Sequence, residues 1–126
     1  MSWAAYITNL QTAGFKHAAI YGYSGAAEYA KDAGFPAIDR AVLTKIIAEV
    51  KPGPDMPKPL NYMYLMGNDS GQPAGFCVYK QGSNGLIVYY CNTLAIIGLH
   101  DANLDSRSAP SIIAKNAGSH LIGAGY

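Results

Sequence analysis

Apolar residues recur at helical spacing in three segments of the chain. In the first, Ser2 is a suitable N-cap for a short amphipathic helix. The apolar positions of that helix are Trp3, Tyr6, Ile7 and Leu10. A second helix is predicted after Asp39, with an apolar stripe between Val42 and Val50. A third is predicted from Ser108, where Pro110 is tolerated in the first turn.

Short runs rich in Tyr, Val, Ile and Leu predict strands. These runs are His17–Tyr23, Tyr62–Met66, Gly75–Lys80, Leu86–Asn92 and Leu94–Leu99. The last four are consecutive and are separated by segments rich in Gly, Asn and Ser, which favour tight turns. They therefore predict an antiparallel meander.

Two further segments join these elements. Gly25–Ala33 predicts a short helix that carries Tyr29. Lys51–Pro59 has four prolines in nine residues, so neither a regular helix nor an inner strand is expected there. We interpret it as a loop within one domain, because too few residues precede it to form a second core.

The order is helix, strand, two helices, a run of strands and a helix. It predicts an α+β protein whose central antiparallel sheet is covered by helices. A chain of 126 residues corresponds to one domain, here residues 1–126.

Composition narrows the class of protein. Half of the residues are hydrophobic and 13% are charged, which predicts a folded chain. The net charge of +1 indicates neither nucleic acid nor an anionic membrane as the main partner. No signal peptide is expected, and the longest apolar runs are far shorter than the roughly 20 residues that span a bilayer. We expect a soluble cytosolic protein in which Cys77 and Cys91 are buried reduced thiols.

No motif of an active site is present. The chain lacks phosphate-binding glycine loops, HExxH and GxSxG, and His17, His100 and His120 have no Cys or carboxylate at ligand spacing. We expect no enzyme, no metal and no cofactor. Two alternatives stay open: a nucleophile assembled in space from Cys77 or Cys91, and a small-molecule sensor with a pocket between sheet and helix.

Aromatic residues cluster towards both ends of the chain. Trp3 and Tyr6 share a helix face, His120 and Tyr126 lie at the end of the last helix, and Tyr29 belongs to the predicted short helix. If the two ends meet, these rings form an exposed shelf. Such a shelf suits a polyproline II ligand, because flat rings pack on pyrrolidine while Trp, Tyr and His donate to its carbonyls.

Three stretches resemble profilins. Ser2–Leu10 followed by Ala18–Gly22 is similar to the N-terminal signature of the family, and Lys80–Ile87 is similar to its basic hairpin. His120–Tyr126 resembles the C-terminal helix ending of amoeboid and plant members. Together these stretches cover the chain in the right order.

The resemblance implies a profilin-like sheet with the terminal helices on one face and two smaller helices on the other. It implies a polyproline site at Trp3, Tyr6, Tyr29, His120, Leu121 and Tyr126. It implies an actin site at Tyr64, Met66, Lys80, Ser83, Gly85, Arg107, Ser108, Ser111, Lys115 and Asn116.

The implied partners are monomeric actin and proline-rich proteins such as formin-type assembly factors, in the cytoplasm and cytoskeleton. Regulation of actin polymerisation and faster nucleotide exchange on actin are also implied, as is binding of phosphoinositide lipids. The actin face is less basic than usual, because Met66 stands where relatives often have Arg, and Tyr90 and Thr93 where they often have Lys. We therefore expect weaker phosphoinositide binding than in basic relatives. The Asp69–Phe76 loop is longer than in plant and amoeboid members.

Overall fold

The computed structural model describes residues 2–48, 57–68 and 73–126. The regular elements are α1 (Trp3–Thr12), β1 (His17–Gly22), β2 (Ala27–Lys31), α2 (Arg40–Ala48), β3 (Met63–Gly67), β4 (Phe76–Gln81), β5 (Asn84–Tyr90), β6 (Leu94–His100), α3 (Ala109–Ile113) and α4 (Ser119–Gly123). A π-helical turn at Ala114–Gly118 joins α3 to α4, and we call residues 109–123 the last helix. Short 3-10 turns lie at Ser24–Ala26 and Pro59–Asn61.

The six strands form one antiparallel sheet in the order β2-β1-β6-β5-β4-β3. The predicted meander of four consecutive strands is confirmed as β3 to β6. β1 pairs with β6 on the other side of that strand from β5, and Ile20 is opposite Ile96. β2 and β3 are therefore the two edge strands.

Helices cover both faces of the sheet. On one face, which we call the terminal-helix face, Leu10 of α1 and Ile113 of the last helix pack with Ile20 and Val78 of the strands. On the other face, which we call the α2 face, Ile46 packs in a second core. The strand residues of this core are those whose side chains point away from the terminal helices. This division confirms the predicted fold class, because the N- and C-terminal helices share one face.

The first two helices begin directly after the capping residues predicted from the sequence. The side-chain oxygen of Ser2 accepts a hydrogen bond from the backbone N–H of Ala5 at 3.3 Å. Asp39 accepts one from the N–H of Val42 at 3.3 Å. Each cap satisfies a donor that the first helical turn leaves free.

The predicted short helix at Gly25–Ala33 is wrong. A 3-10 turn at Ser24–Ala26 is followed by edge strand β2, which pairs with β1 from Gly22 and Ala27 onward. The Ala-Glu-Tyr-Ala-Lys segment has good helix formers, but β1 would otherwise expose a free edge. Pairing satisfies the backbone groups of β1 and overrides local propensity.

Parts of two predicted loops lie outside the described residues. These parts are residues 51–56 of the proline-rich segment and residues 69–72 of the Asp69–Phe76 segment. Val50, at the end of the predicted second apolar stripe, also lies outside them.

Candidate functional site

The first turns of α1 present Trp3 and Tyr6 on one side of the helix. Their ring centroids are 6.3 Å apart. This spacing follows from their separation of three residues, which places side chains on adjacent turns.

Rings from two distant segments converge on Trp3. The centroid of Tyr29, on β2, lies 5.0 Å from that of Trp3 with the planes tilted by 35°. Tyr126 lies at the same distance but meets Trp3 edge-on, at 74°. Both arrangements are favourable for aromatic pairs. The two ends of the chain are therefore side by side, and Trp3 is half-buried rather than sealed in the core.

The last helix supplies the opposite wall. His120 is exposed, and its ring lies 5.7 Å from that of Tyr6. Leu121 and Tyr6 are buried and form the floor, whereas Tyr29 and Tyr126 remain 40% and 43% exposed. A cleft of about 240 Å³ between these elements is lined by Ser2, Trp3, Tyr6, Leu121 and Tyr126. We call this cleft, with Tyr29 and His120 at its rim, the terminal groove.

The chemistry of the terminal groove is apolar surface with hydrogen-bond donors. The indole N–H of Trp3, the tyrosine hydroxyls and a ring N–H of His120 can donate. Among the described residues, no side chain that lines the cleft is acidic or basic, and His120 stands at its rim. Such a surface suits a ligand with carbonyl acceptors and flat apolar rings.

A second set of predicted residues lies on the strands at the other end of the sheet. Met66 is opposite Val78, whose side chain belongs to the core of the terminal-helix face. Lys80, two residues from Val78, is opposite Met63 and therefore shares that face. Met63, Leu65 and Met66 are 56%, 46% and 37% exposed. We call Met63, Leu65, Met66 and Lys80 the β3–β4 surface.

The remaining predicted actin residues occupy different environments. Ser83 is exposed in the β4–β5 turn, while Gly85 is buried and offers no side chain. Tyr64 points to the α2 face, where its ring meets Tyr79 edge-on at 5.8 Å, and burial together with the nearby Cys77 thiol raises its pKa. At the start of the last helix the exposed residues are Arg107, Ser108, Ser111 and Lys115. Asn116 donates from its side chain to the carbonyl of Ile112 at 2.8 Å.

Tyr90 and Thr93 do not belong to the β3–β4 surface. Tyr90 is buried on the α2 face, where its hydroxyl donates to the carbonyl of Ile46. Thr93 lies in the β5–β6 turn and binds Tyr126 at the rim of the terminal groove. The two residues therefore lie in different places, and neither shares a surface with Lys80.

Comparison with known families agrees with this arrangement. A model of the profilin family matches residues 1–126. The chain belongs to the profilin family. Among solved structures, it is similar to Acanthamoeba castellanii profilin IB, with 25% identity, a TM-score of 0.76, and coverage of 99% of this chain and 100% of that chain.

Two other profilin structures share the fold at lower identity. Schizosaccharomyces pombe profilin is 19% identical, with a TM-score of 0.75 over 99% of this chain and 100% of that chain. Mouse profilin IIa, solved in complex with a double repeat from the FH1 domain of mDia1, is 17% identical, with a TM-score of 0.75 over the whole of both chains. Comparison with curated proteins gave no match.

The two alternatives left open by the sequence gain no support in this profilin. Cys77 and Cys91 are fully buried, and burial raises the pKa of Cys77 to about 11 and that of Cys91 to about 12. A buried protonated thiol is a poor nucleophile. A cleft between β2 and α2 has a volume of about 260 Å³, below the roughly 300–1,000 Å³ of typical small-molecule sites.

Within residues 2–48, 57–68 and 73–126, no three His, Cys, Asp or Glu side chains are grouped as a metal site would require. In the same part of the chain, no helix has the length and apolarity needed to cross a bilayer.

Sequence reasoning missed two residues beside the terminal groove. Ser2 lines the groove as well as capping α1, and its position next to Trp3 was the available signal. Thr93 contacts Tyr126 across 33 residues of sequence, and no local pattern indicates that contact.

Proposed function

We propose that this profilin-family protein binds proline-rich segments in the terminal groove and monomeric actin on a surface that includes the β3–β4 surface. By binding both, it delivers actin monomers to proline-rich assembly factors of formin type and regulates polymerisation in the cytoplasm. The observation that carries the proposal is the position of Trp3, whose ring meets Tyr29 and Tyr126 at 5.0 Å each.

A polyproline II helix fits the terminal groove for physical reasons. The ligand is already rigid, so binding orders few degrees of freedom, and it has no backbone N–H of its own. Its pyrrolidine rings pack on Trp3 and Tyr126, and its carbonyls accept from the hydroxyl and N–H groups of the groove. The mouse profilin IIa complex with a double repeat from an FH1 domain supports a ligand of this kind.

The proposed polyproline contacts are Trp3, Tyr6, Tyr29, His120, Leu121 and Tyr126. These residues differ in burial, and we therefore expect them to play different roles in binding. Tyr6 and Leu121 form the floor, and the other four offer accessible ring edges or faces.

The proposed actin contacts are Tyr64, Met66, Lys80, Ser83, Gly85, Arg107, Ser108, Ser111, Lys115 and Asn116. Three exposed apolar side chains on one edge strand, at Met63, Leu65 and Met66, support a protein partner there. Faster nucleotide exchange on actin would follow if this surface binds an open-cleft form of actin more tightly. Phosphoinositide binding would rest on Lys80, Arg107 and Lys115, each contributing about 1 kcal/mol near an anionic surface.

Titration with decaproline tests the groove directly. Trp3 is the only tryptophan, so its fluorescence reports on the site without a label. We expect a saturable change with decaproline and none with a Gly-Ser peptide of equal length. An unchanged emission spectrum, together with no heat of binding by calorimetry, would remove the polyproline part of the proposal.

The actin part has a separate test. We expect saturating protein to change the rate at which monomeric actin exchanges a fluorescent nucleotide. If the rate is unchanged and the two proteins do not co-elute, actin is not the partner of the β3–β4 surface.

A further inference from the structure

Tyr29 occupies an irregular position in edge strand β2. In the pairing of β1 with β2, Tyr21 is opposite Glu28 and Ile20 is opposite Ala30. Tyr29 is therefore the extra residue of a β-bulge and has no directly opposite partner. Bulges bend the strand and re-aim a side chain.

The bulge directs the Tyr29 ring along the sheet rather than over Ile20. Ala30 takes the place opposite Ile20, and both pack in the core of the terminal-helix face. The hydroxyl end of Tyr29 instead lies over Gly22, near the end of β1. From there its ring reaches Trp3.

Gly22 leaves the space that Tyr29 fills. A Cβ at position 22 would lie 2.5 Å from Oη of Tyr29 and 2.7 Å from Cζ. Real Cβ atoms do not approach other atoms so closely, so the ring would have to move. The φ of Gly22 lies outside the left-handed region, and glycine is thus needed here for space rather than for backbone conformation.

We propose that Gly22 is a positioning residue of the terminal groove: the missing side chain lets the bulged Tyr29 lie against β1 and stack on Trp3. This inference rests on the proposed binding of proline-rich segments. A side chain at position 22 displaces the Tyr29 ring, moves one wall of the groove and disturbs the stacked face of Trp3.

A double-mutant cycle tests the proposal. Its members are the wild type, Gly22→Ala, Tyr29→Ala and the double variant, each titrated with decaproline. We expect Tyr29→Ala and Gly22→Ala each to weaken binding by about fivefold or more. The double variant should bind like Tyr29→Ala alone, because Gly22 acts only through that ring.

Gly123→Ala is the matched control. Gly123 is exposed in α4, and a Cβ built on it meets no atom within 4 Å. This variant should bind decaproline like the wild type. Nucleotide exchange on actin should be the same for Gly22→Ala and the wild type, which separates a displaced ring from general damage to the fold.

Three results would overturn the inference. Gly22→Ala could bind decaproline as well as the wild type, the double variant could bind more weakly than Tyr29→Ala, or Gly123→Ala could lose as much affinity as Gly22→Ala. If Gly22→Ala does not fold, the double variant should fold, because Tyr29→Ala removes the clash. Failure of both to fold would also contradict the proposal.

The role of Gly22 can still be tested if the proposed function is wrong. When the wild type does not bind decaproline, the polyproline proposal is wrong, but Trp3 fluorescence of the free proteins still tests the contact. Gly22→Ala should then shift Trp3 emission relative to the wild type, and should cause no shift in the Tyr29→Ala background.

Discussion

The hydroxyl of Thr93 donates a hydrogen bond to the main-chain oxygen of Tyr126 at 2.9 Å. The backbone N–H of Thr93 donates to the same oxygen. Thr93 lies in the turn between two strands of the sheet, so the rigid sheet holds the segment that follows α4. The contact thus holds the backbone of Tyr126, whose ring lies 5.0 Å from that of Trp3.

Replacing Thr93 by Val should weaken decaproline binding by about two- to tenfold, because one hydrogen bond contributes roughly 0.5–1.5 kcal/mol. Val keeps the shape of the side chain and the backbone N–H. Thr93→Ser restores the hydroxyl and should bind like the wild type. Titration of Trp3 fluorescence measures both variants, and equal affinities of Val and Ser variants would show that the hydroxyl does not hold Tyr126.

The elements best predicted from sequence are those set by local signals. Ser2 and Asp39 are caps that act within three residues, and the meander is marked by turns between apolar runs. β2 lies within Gly25–Ala33, the segment for which a short helix is predicted, and its Ala, Glu and Lys residues are good helix formers. Its strand conformation depends on β1, a partner that local propensity does not reveal.

The same distinction applies to the terminal groove. The shared face of Trp3 and Tyr6 follows from helical spacing, and the aromatic residues at both ends indicated where the groove would lie. The contacts that hold the outer rings could not be predicted. Gly22 meets Tyr29 through a bulge, and Thr93 meets Tyr126 across the fold.

Lys80→Glu should weaken actin binding by about three- to tenfold and leave decaproline binding unchanged. Lys80 lies on the β3–β4 surface beside exposed Met63, so reversing its charge affects a partner bound there. Lys45→Glu is the matched control, because Lys45 is exposed on α2, on the opposite face of the sheet. Actin binding of the two variants can be compared by nucleotide exchange at increasing protein concentration.

The converse variant completes this test. Trp3→Ala should weaken decaproline binding by about 1–3 kcal/mol and preserve actin binding. Calorimetry replaces fluorescence here, since the variant has no tryptophan. A folded Trp3→Ala or Lys80→Glu protein that lost both activities would contradict two separate binding surfaces.

Asp32 links the end of β2 to β1 and should make stability depend on pH. Burial by itself would raise the pKa of Asp32, but hydrogen bonds from His17 and the backbone N–H groups of Ala18 and Gly34, with the charge of His17, outweigh it and lower the pKa. The unfolded chain therefore binds the proton more readily than the folded one. The stabilisation is present above the unfolded value near pH 4 and is lost as pH falls through the lower folded pKa.

Asp32→Asn should lower the free energy of unfolding by about 1–2 kcal/mol at pH 7, because the amide is a weaker acceptor for three donors. The difference from the wild type should shrink as pH falls below about 4, because the carboxyl of the unfolded chain is protonated there before that of the folded protein. Glu28→Gln, on the adjoining strand β2, removes an exposed ion pair with Lys31 and should change stability by less than about 1 kcal/mol. Urea unfolding at pH 7 and pH 3 measures all three proteins; a difference that stays constant with pH would mean that the charge of Asp32 does not stabilise the fold.

The two thiols should be inert in the native protein. Cys77 and Cys91 are fully buried and their pKa values are raised, so little thiolate forms at pH 8 and reagent cannot reach it. Alkylation by iodoacetamide, followed by mass spectrometry, should be at least about 100-fold slower than in denaturant. Because the reaction then requires opening of the fold, variants that destabilise the protein, such as Asp32→Asn, should be modified faster, with the logarithm of the rate rising in proportion to the lost stability. Rapid labelling of one cysteine in the native wild type would instead show an accessible nucleophile, and would restore the cysteine-dependent enzyme as an alternative.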